Sequence, residues 1–166
     1  MASEEVKNLV LYLRNNRLTI SFAESATTGR FINEFTSIPN CGSVVQGSIV
    51  CYDVAVKKKM LNVTESMLDQ FTAESAEVTQ QMADELRILI PADLVLAVTG
   101  LASPGGSETT EKPVGTMFVH GYIGEKAFRK RFVFDGEPDE IIRKTIDATA
   151  VFLLEELQLE EAIGDL

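Results

Sequence analysis

The sequence predicts an α/β fold, a three-layer α/β/α arrangement around a mixed sheet of about five strands. Apolar segments of strand length alternate with segments of helical periodicity along most of the chain. The run from Leu94 to Val98 is continuously apolar, which is typical of a parallel strand buried on both faces. Two alternating segments late in the chain, separated by Ile123-Gly124-Glu125, predict one antiparallel hairpin.

The first half of the chain contains strand–helix units followed by short helices. Ser3 can cap a first helix that has an apolar stripe at helical spacing and ends at Asn15 and Asn16. The next elements are, in order, a strand over residues 18–23, a turn over 24–29, a helix containing Phe31, a strand over 43–52, a basic helix over 54–61 and a helix from Thr64.

The second half begins with a long helix and ends with another. Thr72 or Ser75 begins the first of these helices, which ends near Ile90 because Pro91 follows. After the strand at residues 94–98 come a polar loop over 100–113, strands over 114–122 and 126–134, a helix over 138–159 and a tail, 160–166, that we expect to fray.

The composition indicates one globular domain, residues 1–166, and narrows the classes of function. Apolar residues make up 45% and charged residues 24%. The net charge of −10 argues against nonspecific binding to nucleic acid or to an anionic membrane. The opening segment MASEEVKNLV is acidic, and no apolar run approaches a membrane span of ~20 residues. With only Cys41, Cys51 and one histidine, we expect no disulfide framework, no zinc site and a cytoplasmic location.

A strand-to-helix turn with a serine at its tip is the first candidate for chemistry. Residues 23–29 have the sequence AESATTG. The helix that follows offers unpaired backbone N–H groups and the positive end of its dipole, which can stabilise an oxyanion or hold a phosphate. Alternatively, Ser25 or Thr27 simply caps this helix. Glu24 is either an acid–base group or an ordinary turn carboxylate.

A lysine cluster after the second predicted strand is the second candidate. A nucleophilic serine needs a base, and the single histidine, His120, lies inside a predicted strand. A lysine whose amine is partly desolvated can act as the base, because burial lowers its pKa. One of Lys57, Lys58 and Lys59 would serve, and Tyr52, at the end of a strand, would hold that lysine or relay a proton. The alternative is a solvated basic turn beside an ordinary tyrosine.

The polar loop over residues 100–115 is the third candidate. Irregular loops of this length in a compact domain are often functional. Gly105 and Gly106 allow the backbone to come close to a ligand, and Lys112 can meet an anion. A plain surface loop is the alternative.

These three motifs, in this order, resemble the C-terminal domain of CinA and its stand-alone form PncC, the nicotinamide mononucleotide amidohydrolases. The first corresponds to the family signature A-E-S-C-T-G-G. The second corresponds to a strand that ends in tyrosine, with a lysine five residues on. The third, from Thr99 to Thr116, resembles S-G-I-A-G-P-x-G-G-[ST]-x-x-K-P-V-G-T. The resemblance extends over residues 5–158 and implies the same three-layer fold.

The resemblance also implies an activity, deamidation of nicotinamide mononucleotide to nicotinate mononucleotide and ammonia. Ser25 would be the nucleophile of an acyl-enzyme, activated by Lys57 with Tyr52. It implies no cofactor and no metal, a homo-oligomer, and a small nucleotide as the partner rather than nucleic acid or membrane. The resemblance further implies which residues bind substrate. They are Glu24, Thr27, Thr28 and Gly29 of the first motif, with their N–H groups, Thr99, Gly100, Ala102, Gly105, Gly106 and Lys112 of the third, and Arg143 near the start of the last helix.

The chain departs from the family signatures at several positions. Ala26 replaces the cysteine, Thr28 replaces the first glycine of a pair, and Ser103 replaces another glycine. Thr28 puts a side chain where the backbone is expected to approach substrate, and a β-branched residue disfavours positive φ. A catalytically weak CinA-like module that binds a nucleotide or a protein partner is therefore the alternative function.

Overall fold

A computed structural model describes residues 2–164, which form five strands and six α-helices. In chain order these are α1 (Glu4–Asn15), β1 (Ile20–Glu24), α2 (Arg30–Thr36), β2 (Val45–Val50), α3 (Val54–Leu61), α4 (Glu65–Phe71), α5 (Ala76–Leu89), β3 (Leu94–Gly100), β4 (Thr116–Ile123), β5 (Lys126–Val133) and α6 (Pro138–Ile163). The predicted α/β class, the five-stranded mixed sheet and the late hairpin are confirmed.

The sheet is open and has the strand order β2-β1-β3-β4-β5. The first strand pairs in parallel with both of its neighbours, so that Glu24 lies between Val50 and Val98. β4 is antiparallel to β3 and to β5. The carboxyl ends of β1, β2 and β3 therefore meet at one edge, and ligands of open α/β sheets bind at such an edge.

Helices cover both faces of the sheet and enclose two apolar clusters. On one face, α2 packs on β1 and α6 on β4, α1 packs against both helices, and Phe22, Phe31 and Phe35 lie in this cluster. The ring of Phe22 stacks on Phe31 at a centroid distance of 5.7 Å and meets Phe35 edge-on at 5.0 Å. On the other face, α3 and α4 pack against α5, which covers β3 and β4. In residues 2–164, no helix is long and apolar enough to cross a membrane.

Local capping sets most helix starts, as the sequence predicts. Ser3 caps α1, and Thr64 caps α4. Of the two candidates for the start of α5, the cap is Ser75, whose Oγ accepts from the N–H of Val78 at 3.2 Å. Thr72 instead has a φ of 69° and a ψ of 163°, a conformation that is otherwise almost confined to glycine.

The last helix continues to Ile163, beyond the predicted end at residue 159, so residues 160–163 of the expected frayed tail are helical. The extra turn packs against α1, where the Tyr12 hydroxyl donates to the Glu161 carboxylate at 2.8 Å. Glu160 also pairs with Lys126 at 3.2 Å. Residues 165 and 166, the end of the predicted tail, lie outside the described residues.

Candidate active site

A cleft of about 400 Å³ opens at the carboxyl edge of the parallel strands. It brings together residues from all three sequence motifs, because the chain leaves β1, β2 and β3 at this edge. The lining residues are Ser25, Ala26, Thr28, Tyr52, Glu74, Gly100, Leu101, Ala102, Ser103, Pro104, Gly105, Gly106, Pro138 and Ile142.

The turn after β1 places Ser25 in the wall of this cleft. The serine is 7% exposed, and its backbone N–H donates to the Val98 carbonyl at 3.0 Å. Two successive left-handed residues then reverse the chain, Thr28 with φ 48° and Gly29 with φ 89°. A β-branched residue disfavours positive φ, yet Thr28 adopts it. The Thr28 N–H donates to the Ser25 carbonyl at 3.1 Å, so it is already engaged within the turn.

Glu24 is fully buried and fixes the geometry of this turn. One carboxylate oxygen accepts from the Thr27 hydroxyl at 2.8 Å and from the Phe31 N–H at 3.0 Å. The other accepts from the Ile32 N–H at 3.1 Å and from the Ser48 hydroxyl at 3.0 Å. A charged acceptor with four donors is strongly held.

This arrangement decides between the alternatives for the turn. The N–H groups of Phe31 and Ile32 are satisfied by Glu24, so the expectation of unpaired donors there is wrong. Neither Ser25 nor Thr27 caps α2, whose N-cap is Gly29. Glu24 and Thr27 hold the turn from behind and are not among the lining residues of the cleft. The Ser25 side chain therefore stays at the cleft, and the hydrogen bonds of Glu24 fix the backbone that follows it.

Lys57 is the one buried member of the lysine cluster, at 1% exposure, whereas Lys58 and Lys59 are exposed. Its ammonium Nζ donates to the backbone carbonyl of Tyr52 at 3.1 Å. Burial lowers the pKa of Lys57, and the charges of Cys51, Glu74 and Asp53 oppose that shift. The lysine is thus held by the backbone carbonyl of Tyr52, a residue that is 70% exposed and borders the cleft.

The third motif forms the opposite wall of the cleft. A Cβ on Gly100 would lie 2.3 Å from Met117 Sδ and 2.7 Å from the Thr116 carbonyl oxygen, so only glycine fits there. Thr99 is buried, and its hydroxyl bonds that of Thr79 at 2.8 Å, beneath the cleft and not in its lining. Ala102, Gly105 and Gly106 line the cleft as the resemblance implies.

Lys112 fastens this loop to the connection between α4 and α5. Its Nζ donates to the Thr72 hydroxyl at 2.9 Å, to the Glu74 carbonyl at 2.8 Å and to the Ser107 hydroxyl at 2.8 Å. Three acceptors satisfy all three donors of an ammonium group. The structure therefore engages Lys112 with the protein rather than presenting it to a ligand.

Arg143 and His120 lie away from the cleft. Arg143 pairs with Asp147 at 3.6 Å, and it borders a separate depression beside Ser3 and Glu34. His120 is buried inside β4, where burial and the charge of Arg129 lower its pKa to about 4. The structure does not bring either residue to Ser25.

Sequence reasoning did not assign Glu74, Pro138 or Ile142 to the site. Leu101, Ser103 and Pro104, which also line the cleft, belong to the stretch of the third motif from Thr99 to Gly106 that the resemblance implies. Glu74 stands between two helices, and Pro138 and Ile142 face the cleft only because of how α6 packs. Within residues 2–164, no cluster of three or more His, Cys, Asp or Glu side chains is suited to hold a metal ion.

Comparison with known proteins gives the same family from sequence and from structure. The model of the family described as "CinA C-terminal domain" matches residues 3–157. A CinA-like protein of Thermosipho melanesiensis is 37% identical over 87% of this chain and 36% of its own length. This chain thus spans about a third of the length of that relative. The crystal structure of the competence/damage inducible protein CihA from Agrobacterium tumefaciens is 29% identical, with a TM-score of 0.84 over 95% of this chain and 98% of that one.

Proposed function

The chain belongs to the family of CinA C-terminal domains, and from that premise we propose that it hydrolyses the carboxamide of a small molecule, with Ser25 as the nucleophile. In its finer form, the proposal is deamidation of nicotinamide mononucleotide to nicotinate mononucleotide and ammonia. The observation that supports it best is that Ser25, in the cleft wall, and the buried Lys57 follow the adjacent parallel strands β1 and β2, at the sheet edge where α/β proteins bind ligands. Lys57 itself is not among the lining residues of the cleft.

The chemistry proceeds through an acyl-enzyme. Ser25 Oγ attacks the amide carbon, its proton passes to the Lys57 amine, and the tetrahedral intermediate expels ammonia after receiving that proton. Water then attacks the ester, with Lys57 again taking and returning a proton. Burial suits Lys57 to this role, because a lowered pKa increases the neutral fraction that can accept a proton.

One observation favours the second candidate, a module that binds without turnover. Among the described residues, Ser25 Oγ has no hydrogen-bonded base, since Lys57 donates to the Tyr52 carbonyl. Catalytic hydrogen bonds are often long in unliganded enzymes and tighten when substrate binds, so this geometry does not exclude the enzyme. Turnover has to be measured.

The test is ammonia release from nicotinamide mononucleotide, with free nicotinamide as the control substrate. We expect release by the natural protein and none by Ser25→Ala, because the variant has no hydroxyl to form the acyl-enzyme. Ser37→Ala, an exposed serine at the end of α2, is the matched control and should retain full activity. Absence of ammonia from nicotinamide mononucleotide at high protein concentration would refute the proposed deamidase and favour the binding module.

The proposal extends to a homo-oligomer in the cytoplasm, acting on a small molecule without metal or cofactor. Exposed apolar side chains at the end of β2 and along α3 support self-association, namely Val50, Tyr52, Val54, Val56 and Met60. Light scattering at several protein concentrations measures the mass directly.

A further inference from the structure

Thr72, at the carboxyl end of α4, keeps a backbone conformation that favours glycine. Its φ of 69° and ψ of 163° are costly for a β-branched residue, and such strain persists only where the surrounding structure holds the residue firmly. Here the Thr72 N–H donates to the Leu68 carbonyl at 3.0 Å, and the Thr72 carbonyl accepts from the Ser75 hydroxyl at 3.0 Å. Glycine would keep both backbone bonds without the strain, so what threonine adds at this position is its hydroxyl.

The Thr72 hydroxyl joins hydrogen bonds that cross from the end of α4 to the glycine-rich loop. It accepts from Lys112 Nζ at 2.9 Å and donates to Ser107 Oγ at 3.1 Å. Ser107 Oγ also accepts from Lys112 Nζ, at 2.8 Å, and donates to Glu74 Oε2 at 2.5 Å. Each hydroxyl both donates and accepts, and hydrogen bonds in such a chain strengthen one another. We call these four residues, Thr72, Glu74, Ser107 and Lys112, the loop clasp.

The loop clasp anchors the part of the cleft wall that restricts its own backbone least. Gly105 and Gly106 line the cleft and come immediately before Ser107. Glycine has the greatest conformational freedom, so the positions of these two residues depend on what anchors the chain beside them. Gly106 packs so closely on Leu101 that a Cβ would lie 2.5 Å from Leu101 Cδ2. Glu74, which also lines the cleft, is itself a member of the clasp. Release of Ser107 would therefore move this wall.

We propose that Thr72 is a positioning residue of the cleft, which holds the glycine-rich wall in the conformation that binds substrate. Thr72 is not among the lining residues, so it acts through Ser107 and Lys112. The inference rests on the proposed function for its substrate. Because the nucleophile Ser25 belongs to a different wall, after β1, breaking the clasp should weaken the binding of nicotinamide mononucleotide more than it slows the chemical step.

The test compares three variants of the full chain. Thr72→Val keeps the size and β-branching of the side chain but removes the hydroxyl, whereas Thr72→Ser keeps the hydroxyl. Thr110→Val makes the same change as the first variant at an exposed position of the same loop. We expect Thr72→Val to raise KM for nicotinamide mononucleotide roughly tenfold and to change kcat less than about threefold. Thr72→Ser and Thr110→Val should keep both quantities within about twofold of the natural protein.

Hydrogen exchange measured by NMR follows the wall without turnover. The N–H groups of Gly105, Thr109 and Lys112 are hydrogen-bonded within the loop. They should exchange roughly tenfold faster in Thr72→Val than in the natural protein, because the loop opens more often once the clasp is broken. Ser107→Ala removes the second hydroxyl of the clasp and leaves residue 72 untouched, so it should have the same effects on exchange and on KM. It takes the place of Thr72→Val if thermal melting shows that variant to be unfolded.

An unchanged KM or unchanged exchange in Thr72→Val overturns the inference. An equal rise of KM in Thr72→Ser also overturns it, because the hydroxyl would then not be the cause. Failure of the proposed function looks different, since the natural protein then releases no ammonia from nicotinamide mononucleotide. In that case exchange and the affinity for the mononucleotide, measured by titration calorimetry, decide. Weaker binding and faster exchange in Thr72→Val support the inference, whereas equal affinities, or no binding by the natural protein, overturn it.

Discussion

Replacing Thr28 by glycine should stabilise this protein, although glycine usually destabilises. Thr28 has a φ of 48°, and a side chain in the left-handed region costs roughly 1–2 kcal/mol. Glycine removes that strain but loses more conformational freedom on folding, at a cost of roughly 0.5–1 kcal/mol. The difference is a gain of about 0.5–1 kcal/mol, or a rise in Tm of about 1–4 °C for a domain of this size.

Differential scanning calorimetry and urea unfolding measure this gain. The matched control is Gly29→Ala, because the neighbouring glycine has a φ of 89°. A Cβ there would lie 3.5 Å from Val50 Cγ2, an ordinary contact, so the expected loss of about 1–2 kcal/mol comes from the backbone alone. A lower Tm for Thr28→Gly would refute the reasoning that position 28 is strained.

Thr28→Gly also tests whether the departure from the family signature at position 28 removes an oxyanion donor or only narrows the cleft. The Thr28 N–H donates to the Ser25 carbonyl, so restoring glycine supplies no additional oxyanion donor, whose loss costs roughly 2.7–4 kcal/mol in other hydrolases. The exposed Thr28 side chain borders the cleft, so its removal widens the site. We therefore expect a lower KM with kcat changed less than tenfold. A large rise in kcat would show that the turn rearranges when substrate binds.

Three further predictions concern Lys57 and Glu24. Lys57→Met should lower kcat by on the order of a hundredfold. It should also abolish the rise of kcat/KM with pH, which deprotonation of a base with a lowered pKa produces. Lys59→Met, at an exposed site, should change neither quantity. Because the unfolded chain binds the Lys57 proton more tightly than the folded one, the natural protein should also gain stability as pH rises toward the ordinary pKa of 10.5, and Lys57→Met should lose that slope. Glu24→Gln should lower the free energy of unfolding, measured with urea, by about 1–3 kcal/mol, because an amide cannot accept from all four donors. Glu77→Gln, the control at an exposed site, should lower it by less than about 0.5 kcal/mol. Full activity in Lys57→Met, or unchanged stability in Glu24→Gln, would contradict these assignments.

Local signals in the sequence were enough to determine the elements and the class of fold. Helix caps at Ser3 and Thr64 and the uninterrupted apolar strand from Leu94 act over a few residues, so they can be identified without tertiary contacts, whereas the choice of Ser75 over Thr72 came from the structure. The order of strands and helices then restricts the topology to a parallel core with one late hairpin. Three motifs that follow parallel strands must meet at one edge, and for that reason the position of the cleft was predictable.

The roles of individual side chains were decided only by the tertiary structure. Only the spacing from Tyr52 in the family resemblance distinguishes Lys57 from the two lysines after it. Its burial depends on how α3 packs against α5. Lys112 satisfies its donors at Thr72, which is 40 residues away, and Tyr12 extends α6 through a carboxylate 149 residues away. Glu74 enters the cleft through the same kind of distant packing. A charged side chain takes whichever partner the fold brings within hydrogen-bond distance, and the identity of that partner is not a local property of the sequence.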